Sequence, residues 1–258
     1  MDAKTTKLTF LGTGTSQGVP MIGCNCAVCT SSDSRDKRLR ASAYVEHMGV
    51  RILIDAGPDF RYQMLREGIS TIDGILLTHN HKDHTGGLDD IRAFNYHEKK
   101  ATQIYCEQYV EESLRMEYSY AFAEHKYPGA PEWDVHIIDN NPFTINGVEI
   151  IPIRGMHYKL PVLGYRFGKI AYCTDMNHIP EEEFAKLQGL EHFVINCVRR
   201  GSHISHYSLE EAVALSKKVG AKHSWLTHLS HQLPCCEELS KELPENIRPA
   251  YDGLSITA

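Results

Sequence analysis

The chain has 258 residues, 42% of them hydrophobic and 23% charged, and a net charge of −6 with histidine neutral. That length gives one large unit, or two small ones, a well-buried core, and the acidic balance excludes a global basic footprint for nucleic acid. No apolar run approaches the roughly 20 residues that span a bilayer, and Met1–Lys7 has no apolar leader, so a cytoplasmic protein without membrane contact is expected.

Leu8–Leu11 opens the chain as a strand, followed by Gly12-Thr13-Gly14-Thr15-Ser16-Gln17-Gly18. The third glycine falls one position late for a dinucleotide loop, and Pro20 follows, which argues against that reading. A glycine-rich loop still lets backbone come close to a site. Cys24, Cys26 and Cys29 then place three thiols in six residues, a partial tetrahedral zinc site that lacks a fourth ligand. As free surface thiols they would be prone to oxidation. The other five cysteines show no metal spacing and read as buried thiols. Arg35–Arg40 is the only basic run, and a solvated face is its default reading.

Ala43–Glu46 and Arg51–Ile54 flank Met48-Gly49 as a hairpin that ends at Asp55. A helix is predicted over Phe60–Glu67, stopped by Gly68. The apolar strand Ile75–Thr78 delivers His79-Asn80-His81-Lys82-Asp83-His84, three imidazoles and one carboxylate within six residues. Such donors suit Zn²⁺, Mn²⁺ or Fe²⁺. His79 and His81 can converge on extended or turning backbone. Asp83 and His84 are adjacent and suggest a second metal.

Gln103–Cys106 reads as a strand and Glu107–His125 as a helix. Tyr127–Asn141, with Pro128, Gly129 and Pro131 and followed by Pro142, reads as an irregular lid or rim. The second half alternates strand and helix: Val148–Ile153, Leu163–Phe167, Ile170–Tyr172, His192–Ile195, a helix over Leu209–Val219, His223–Thr227 and Gly253–Thr257. His157, Asp175 and His228 each lie just past one of these strands, as ligands gathered at one sheet edge would. His206 precedes the second-half helix, outside that set, where it could protonate an alkoxide leaving group. His203 competes for the role. Arg199 or Arg200 could hold a phosphate, with a solvated surface the equal alternative. One mixed α/β domain over residues 1–258, with two packed sheets, fits best.

His79-x-His81-x-Asp83-His84, followed by His157, Asp175 and His228, resembles the metallo-β-lactamase superfamily of binuclear hydrolases. The resemblance covers nearly the whole chain. It implies an α/β (α+β) fold, a four-layer αββα sandwich. By that resemblance His79, His81 and His157 hold one divalent ion, Zn²⁺ or Mn²⁺. Asp83, His84 and His228 hold a second, and Asp175 bridges the two. Asp83 is also placed among the catalytic residues, and Asp55 orients a ligand rather than binding metal. Two such ions share a water and lower its pKa, giving hydroxide near neutral pH.

The Gly-Thr-Gly opening, the cysteine cluster and Thr227-His228-Leu229-Ser230-His231-Gln232 together resemble the phosphoribosyl cyclic phosphodiesterase group of the carbon–phosphorus lyase pathway, kin to ribonuclease Z. The Tyr251-Asp252-Gly253 end fits the same group. This resemblance implies a structural Zn²⁺ on Cys24, Cys26, Cys29 and His231, with His206 as the catalytic histidine. The expected activity is hydroxide attack on a small cyclic ribose phosphate or nucleotide-like diester, with His206 as general acid. Transfer-RNA 3′ processing is the same-fold rival, disfavoured by the missing basic arm. Lactone or thioester hydrolysis would leave His206 without a purpose. A non-enzymatic, metal-stabilised binding protein would have no need of all seven ligand types. The expected partner is a small-molecule phosphodiester, not a membrane or a large nucleic acid, and a homodimer is left open.

Overall fold

The computed structural model describes residues 5–258. Among them, two seven-stranded sheets pack face to face. The first contains β1 (Thr6–Gly12), β2 (Ser42–His47), β3 (Val50–Ile54), β4 (Gly74–Leu76), β5 (Thr102–Cys106) and β6 (Trp133–Ile137). The second contains β7 (Phe143–Ile145), β8 (Val148–His157), β9 (Leu160–Phe167), β10 (Ile170–Tyr172), β11 (His192–Asn196), β12 (His223–Thr227) and β13 (Ile247–Pro249). β14 (Ser255–Thr257) returns to the first sheet, giving the orders β14-β1-β2-β3-β4-β5-β6 and β13-β12-β11-β10-β9-β8-β7.

Each central strand is apolar on both faces because each face is covered. Ile52 and Ile54 of β3 point into the inter-sheet core, with Phe10, Val45, Tyr165 and Val194. Leu53, between them, points outward onto Phe60, Met64, Phe94 and Leu114. These belong to three helices, α2 (Phe60–Glu67), α4 (Arg92–Glu98) and α5 (Gln108–Glu117), while the short helices α1 (Ala27–Thr30) and α3 (Lys82–Thr85) lie in loops. Phe193 and Ile195 on the second sheet's outer face meet Leu209, Ala212 and Leu239, from α6 (Leu209–Val219) and α7 (Cys236–Glu242). The layers are therefore αββα, as expected.

Local signals explain most boundaries. Gly68 ends α2 in the left-handed region at φ +65°, its N–H returning to Leu65 and Met64. Ser208 starts α6 with a reciprocal capping box to Glu211, which fixes where His206 can lie. The predicted helix Glu107–His125 is shorter in the structure. Buried Tyr118 leaves it to pack on Trp133 and donate to the Thr85 carbonyl at 2.9 Å. Tyr127–Asn141 is not wholly irregular either. It carries β6, parallel to β5, and its prolines flank the strand rather than interrupt it. β8 also runs further than expected, so His157 is its last residue rather than one beyond it. No helix among the described residues is long and apolar enough to cross a membrane.

Candidate metal centre

β3, β4 and β5 run parallel in one sheet, and β10, β11 and β12 run parallel in the other. The carboxyl ends of such strands share an edge, where α/β proteins gather their sites. β3 ends at Asp55, and the chain after β4 supplies His79, His81, Asp83 and His84. β8 ends at His157, and β10 and β12 lead to Asp175 and His228. Asp55, Asp175 and His228 all hold positive φ, at +61°, +56° and +54°. Asp and His tolerate this left-handed turn better than most residues, and it swings each side chain from the strand path toward the shared edge. Strain of this kind is typical of functional positions.

The converging donors form three overlapping groups: His79, His81 and His157; Asp83, His84, Asp175 and His228; and His157, Asp175 and His206, with donor atoms within 4.8 Å in each. Asp83 and His84 meet although adjacent, because α3 curls them onto one side. His84 Nε2 lies 3.2 Å from Asp175 Oδ2 and 3.3 Å from Asp83 Oδ2, and His228 Nε2 lies 3.1 Å from Asp175 Oδ1. Yet His79 Nε2, His84 Nε2 and His228 Nε2 are buried with no hydrogen-bond partner. Metal–nitrogen and metal–oxygen bonds of about 2.0–2.2 Å set ligand atoms about 3.4 Å apart around a tetrahedron. Orphaned nitrogens at that spacing from carboxylate oxygens fit a divalent ion better than a hydrogen-bonded core.

The electrostatics are those of a charged cluster. Burial pushes the His228 imidazole down, but Asp175 and Asp83 outweigh it and hold its pKa up to about 9. Burial opposes His84 in the same way, and Asp175, Asp55 and Asp83 lift it well above its ordinary value. Asp175 is held well below the usual carboxylate range by His228 and His84, against its own burial. These are groups arranged to share positive charge.

A surrounding set of residues aims the ligands. Asp55 Oδ2 lies 2.7 Å from His84 Nδ1 and takes the Thr78 hydroxyl at 2.9 Å, while Oδ1 takes the Thr78 N–H at 2.8 Å. His84 therefore donates from Nδ1 and turns Nε2 to the cluster. Thr78 Oγ1 is 2.9 Å from His79 Nδ1, and the Ser205 carbonyl is 2.8 Å from His157 Nδ1. Asn196 brackets Met176, beside Asp175, accepting from its N–H at 2.8 Å and donating to its carbonyl at 2.9 Å. Sequence reasoning missed Thr78, Asn196 and Ser205. The available signal was a polar residue closing an otherwise apolar strand, as at Asn196. Asp55→Asn is expected to weaken metal binding by about 10- to 100-fold while the fold persists, since the amide carries no charge and its NH₂ must face the Thr78 N–H or the His84 N–H in place of an acceptor. Metal content after dialysis, read beside circular dichroism, checks this, and full retention of metal would remove Asp55 from the orienting role.

His206 lies against both ligand groups. Its ring centroid is 4.6 Å from that of His157 and 4.8 Å from that of His228, and Nδ1 is 3.8 Å from Asp175 Oδ1. His203 stands behind it, ring to ring at 5.0 Å. Arg200 is surface-exposed and paired with Glu242 on α7, and Arg199 donates to the Ser202 carbonyl at 2.9 Å. Neither guanidinium forms a hydrogen bond or ion pair with the His/Asp cluster among the described residues.

A separate cluster forms where the N-terminal loop meets the segment after β12. Cys24, Cys26, Cys29 and His231 bring their donor atoms within 4.8 Å of one another. His231 Nδ1 lies 3.3 Å from Cys24 Sγ and 3.5 Å from Cys26 Sγ. Zn–S of about 2.3 Å with Zn–N near 2.0 Å predicts about 3.5 Å for that edge. The Cys29 N–H and His231 hold the Cys26 thiol down to about 6, while burial and the neighbouring thiols push Cys29 up to about 11, so without a metal one thiolate of the group forms readily and its neighbour keeps its proton. All eight cysteines are free.

The family described as Beta-lactamase superfamily domain matches residues 50–229. The crystal structure of a diphosphatase from the PhnP family superposes with a TM-score of 0.92 at 39% identity, covering 98% of this chain and 97% of that one. Zn²⁺-bound PqqB from Methylobacterium extorquens shares the fold, with a TM-score of 0.77 at 19% identity, covering 97% and 99% of the two chains. A Porphyromonas gingivalis protein named octanoyltransferase is 43% identical over 248 residues, 95% of this chain, and the chain spans 50% of that protein's length.

Proposed function

The chain belongs to the beta-lactamase superfamily and, within it, to the PhnP family; from that premise we propose that it is a metal-dependent phosphodiesterase acting on a small cyclic ribose phosphate or nucleotide-like diester. In this reading His79, His81 and His157 hold one divalent ion, Zn²⁺ or Mn²⁺, and Asp83, His84 and His228 hold a second, with Asp175 shared between them. Bound there, such ions supply a water of lowered pKa and positive charge against the phosphoryl oxygens. The chain's own residues do the rest. Asp55, Thr78 and the Ser205 carbonyl fix the ring orientations, and Asp175 ties both ligand groups and His206 into one unit. His206 donates a proton to the departing oxygen.

The observation that carries this reading is His206. It is a half-buried imidazole outside both main ligand groups, yet it touches His157 and His228 and lies near Asp175. Bare metal hydrolysis of an ester with a good leaving group has no use for such a group, whereas expelling an alkoxide from phosphorus does. A second reading is favoured by the 39%-identical diphosphatase: cleavage of a diphosphate, whose phosphate leaving group needs less protonation. The acyl-transfer name of the P. gingivalis relative belongs to a protein of about twice this length.

We further propose a structural Zn²⁺ on Cys24, Cys26, Cys29 and His231. Elemental analysis is expected to give two ions in the His/Asp groups and one zinc on the cysteines, and chelation to abolish turnover of an activated bis-aryl phosphodiester. Cys26→Ser is expected to lose the single zinc and lower the melting temperature far more than it slows turnover. A chelated protein that still turns over the diester would exclude the scheme.

A further inference from the structure

A cavity of about 500 Å³ opens beside the metal residues, lined by His81 and His157 on its inner side and by Tyr158, Lys159 and Ile204 on its outer side. That volume lies within the range of small-molecule sites. Tyr158 is 51% exposed and Ile204 67% exposed, large apolar groups held in water. Their backbones are nevertheless fixed. Tyr158 sits at the tip of the β8–β9 hairpin at φ +56°, a left-handed conformation that is an outlier for a bulky aromatic. Asn177 accepts from the Tyr158 N–H at 2.9 Å and donates to the Ile204 carbonyl at 3.1 Å, pinning the two loops together. Lys159 Nζ stands 5.3 Å from the Tyr158 ring centroid.

The left-handed backbone serves the two-residue hairpin loop between His157 and Leu160, but that turn favours glycine or asparagine, and placing a tyrosine there gives nothing to the fold, because its ring leaves the core. It does give a flat apolar face directly after His157, with an aliphatic side chain and a cation lining the same cavity. A bare sugar phosphate offers only a small, puckered C–H face to the ring. A nucleobase offers it a flat, stackable face, with the phosphorus reaching the metal residues and Lys159 near any second anionic group.

We propose that Tyr158 and Ile204 form a base-binding subsite, so that the substrate is a nucleotide diester rather than a cyclic phosphate of ribose alone. This rests on the phosphodiesterase reading above for its chemistry, but not for its binding. Adenosine 5′-monophosphate and ribose 5-phosphate are titrated calorimetrically into the metal-loaded protein. The nucleotide is expected to bind about tenfold tighter or more. Tyr158→Asn, which tolerates the left-handed turn, should bring the ratio close to one, and Tyr158→Phe should keep it. Equal affinities in the wild type, or a ratio that survives Tyr158→Asn, overturn the subsite. In parallel, turnover of thymidine 5′-(4-nitrophenyl phosphate) is compared with that of methyl 4-nitrophenyl phosphate, which has the same leaving group and no base. A preference of similar size that Tyr158→Asn removes supports the subsite in catalysis. If neither ester is hydrolysed while the nucleotide still binds through Tyr158, the subsite stands and the phosphodiesterase reading fails.

Discussion

Asp175→Asn is expected to lower phosphodiester turnover by about a thousandfold and to strip metal from the protein on dialysis. Residues that merely orient a metal ligand typically cost 10- to 100-fold when changed, and Asp175 is placed more centrally than that. One oxygen lies 3.1 Å from His228 Nε2 and the other 3.2 Å from His84 Nε2, so a single carboxylate serves both imidazoles. Its Oδ2 also accepts from the Thr174 hydroxyl at 2.6 Å. Asparagine matches its shape and tolerates φ +56°, so the loop is expected to stay folded. It carries no charge, however, and one of its two terminal atoms is a donor facing nitrogen lone pairs. Metal per chain by elemental analysis, with turnover of the bis-aryl diester, checks this. A variant that keeps both its metal and its rate would take Asp175 out of the ligand set.

The layered fold was legible because its strands are buried on both faces and read as apolar runs, as at Arg51–Ile54 and His192–Ile195. α2 ended at Gly68 and α6 fell on Leu209–Val219 as expected, since turn and cap chemistry acts over a few residues. β6 was missed because it is a half-buried edge strand set among prolines, and composition there reported the flanks rather than the strand. The end of the helix at Tyr118 was set by a tertiary contact to Trp133 that no local pattern encodes. The site divides in the same way. The His79–His84 motif was visible because its donors are close in sequence, and His157, Asp175 and His228 because each closes or follows a strand. Thr78, Asn196 and Ser205 act through a hydroxyl, an amide and a carbonyl that are ordinary in any loop until the fold brings them to a ligand. Arg199 and Arg200 carried charge in a suggestive place, and in the structure they meet the Ser202 carbonyl and Glu242 of a neighbouring helix.

His206→Ala is expected to slow expulsion of a poor leaving group, such as a simple alkoxide, by about 10²- to 10⁴-fold, and a 4-nitrophenolate by less than about tenfold. The electrostatics sharpen how the proton is supplied. Burial, with the neighbouring His228, His157 and His203, pushes the His206 imidazole down to about 3, against the pull of Asp175. In the resting protein near neutral pH the ring is therefore neutral and does not hold a spare proton in waiting. An anionic phosphodiester entering the cavity adds negative charge beside the ring, and more accumulates as the ester bond breaks. Both favour the protonated form where the low resting value had disfavoured it. The ring takes up a proton from solvent water as the anion binds and passes it to the departing oxygen as the ester bond breaks, so the value of the transfer grows with the basicity of that oxygen. The dependence of rate on leaving-group pKa should accordingly be shallow in the wild type and steep in His206→Ala. A diphosphate releases a phosphate, whose conjugate acid has a pKa of about 6, so its loss should be as small as that of the 4-nitrophenyl ester, and one series separates both chemical readings. Equal losses across all leaving groups would mean that His206 hydrogen-bonds the phosphoryl oxygens instead, and the proton would have to come from elsewhere in the site.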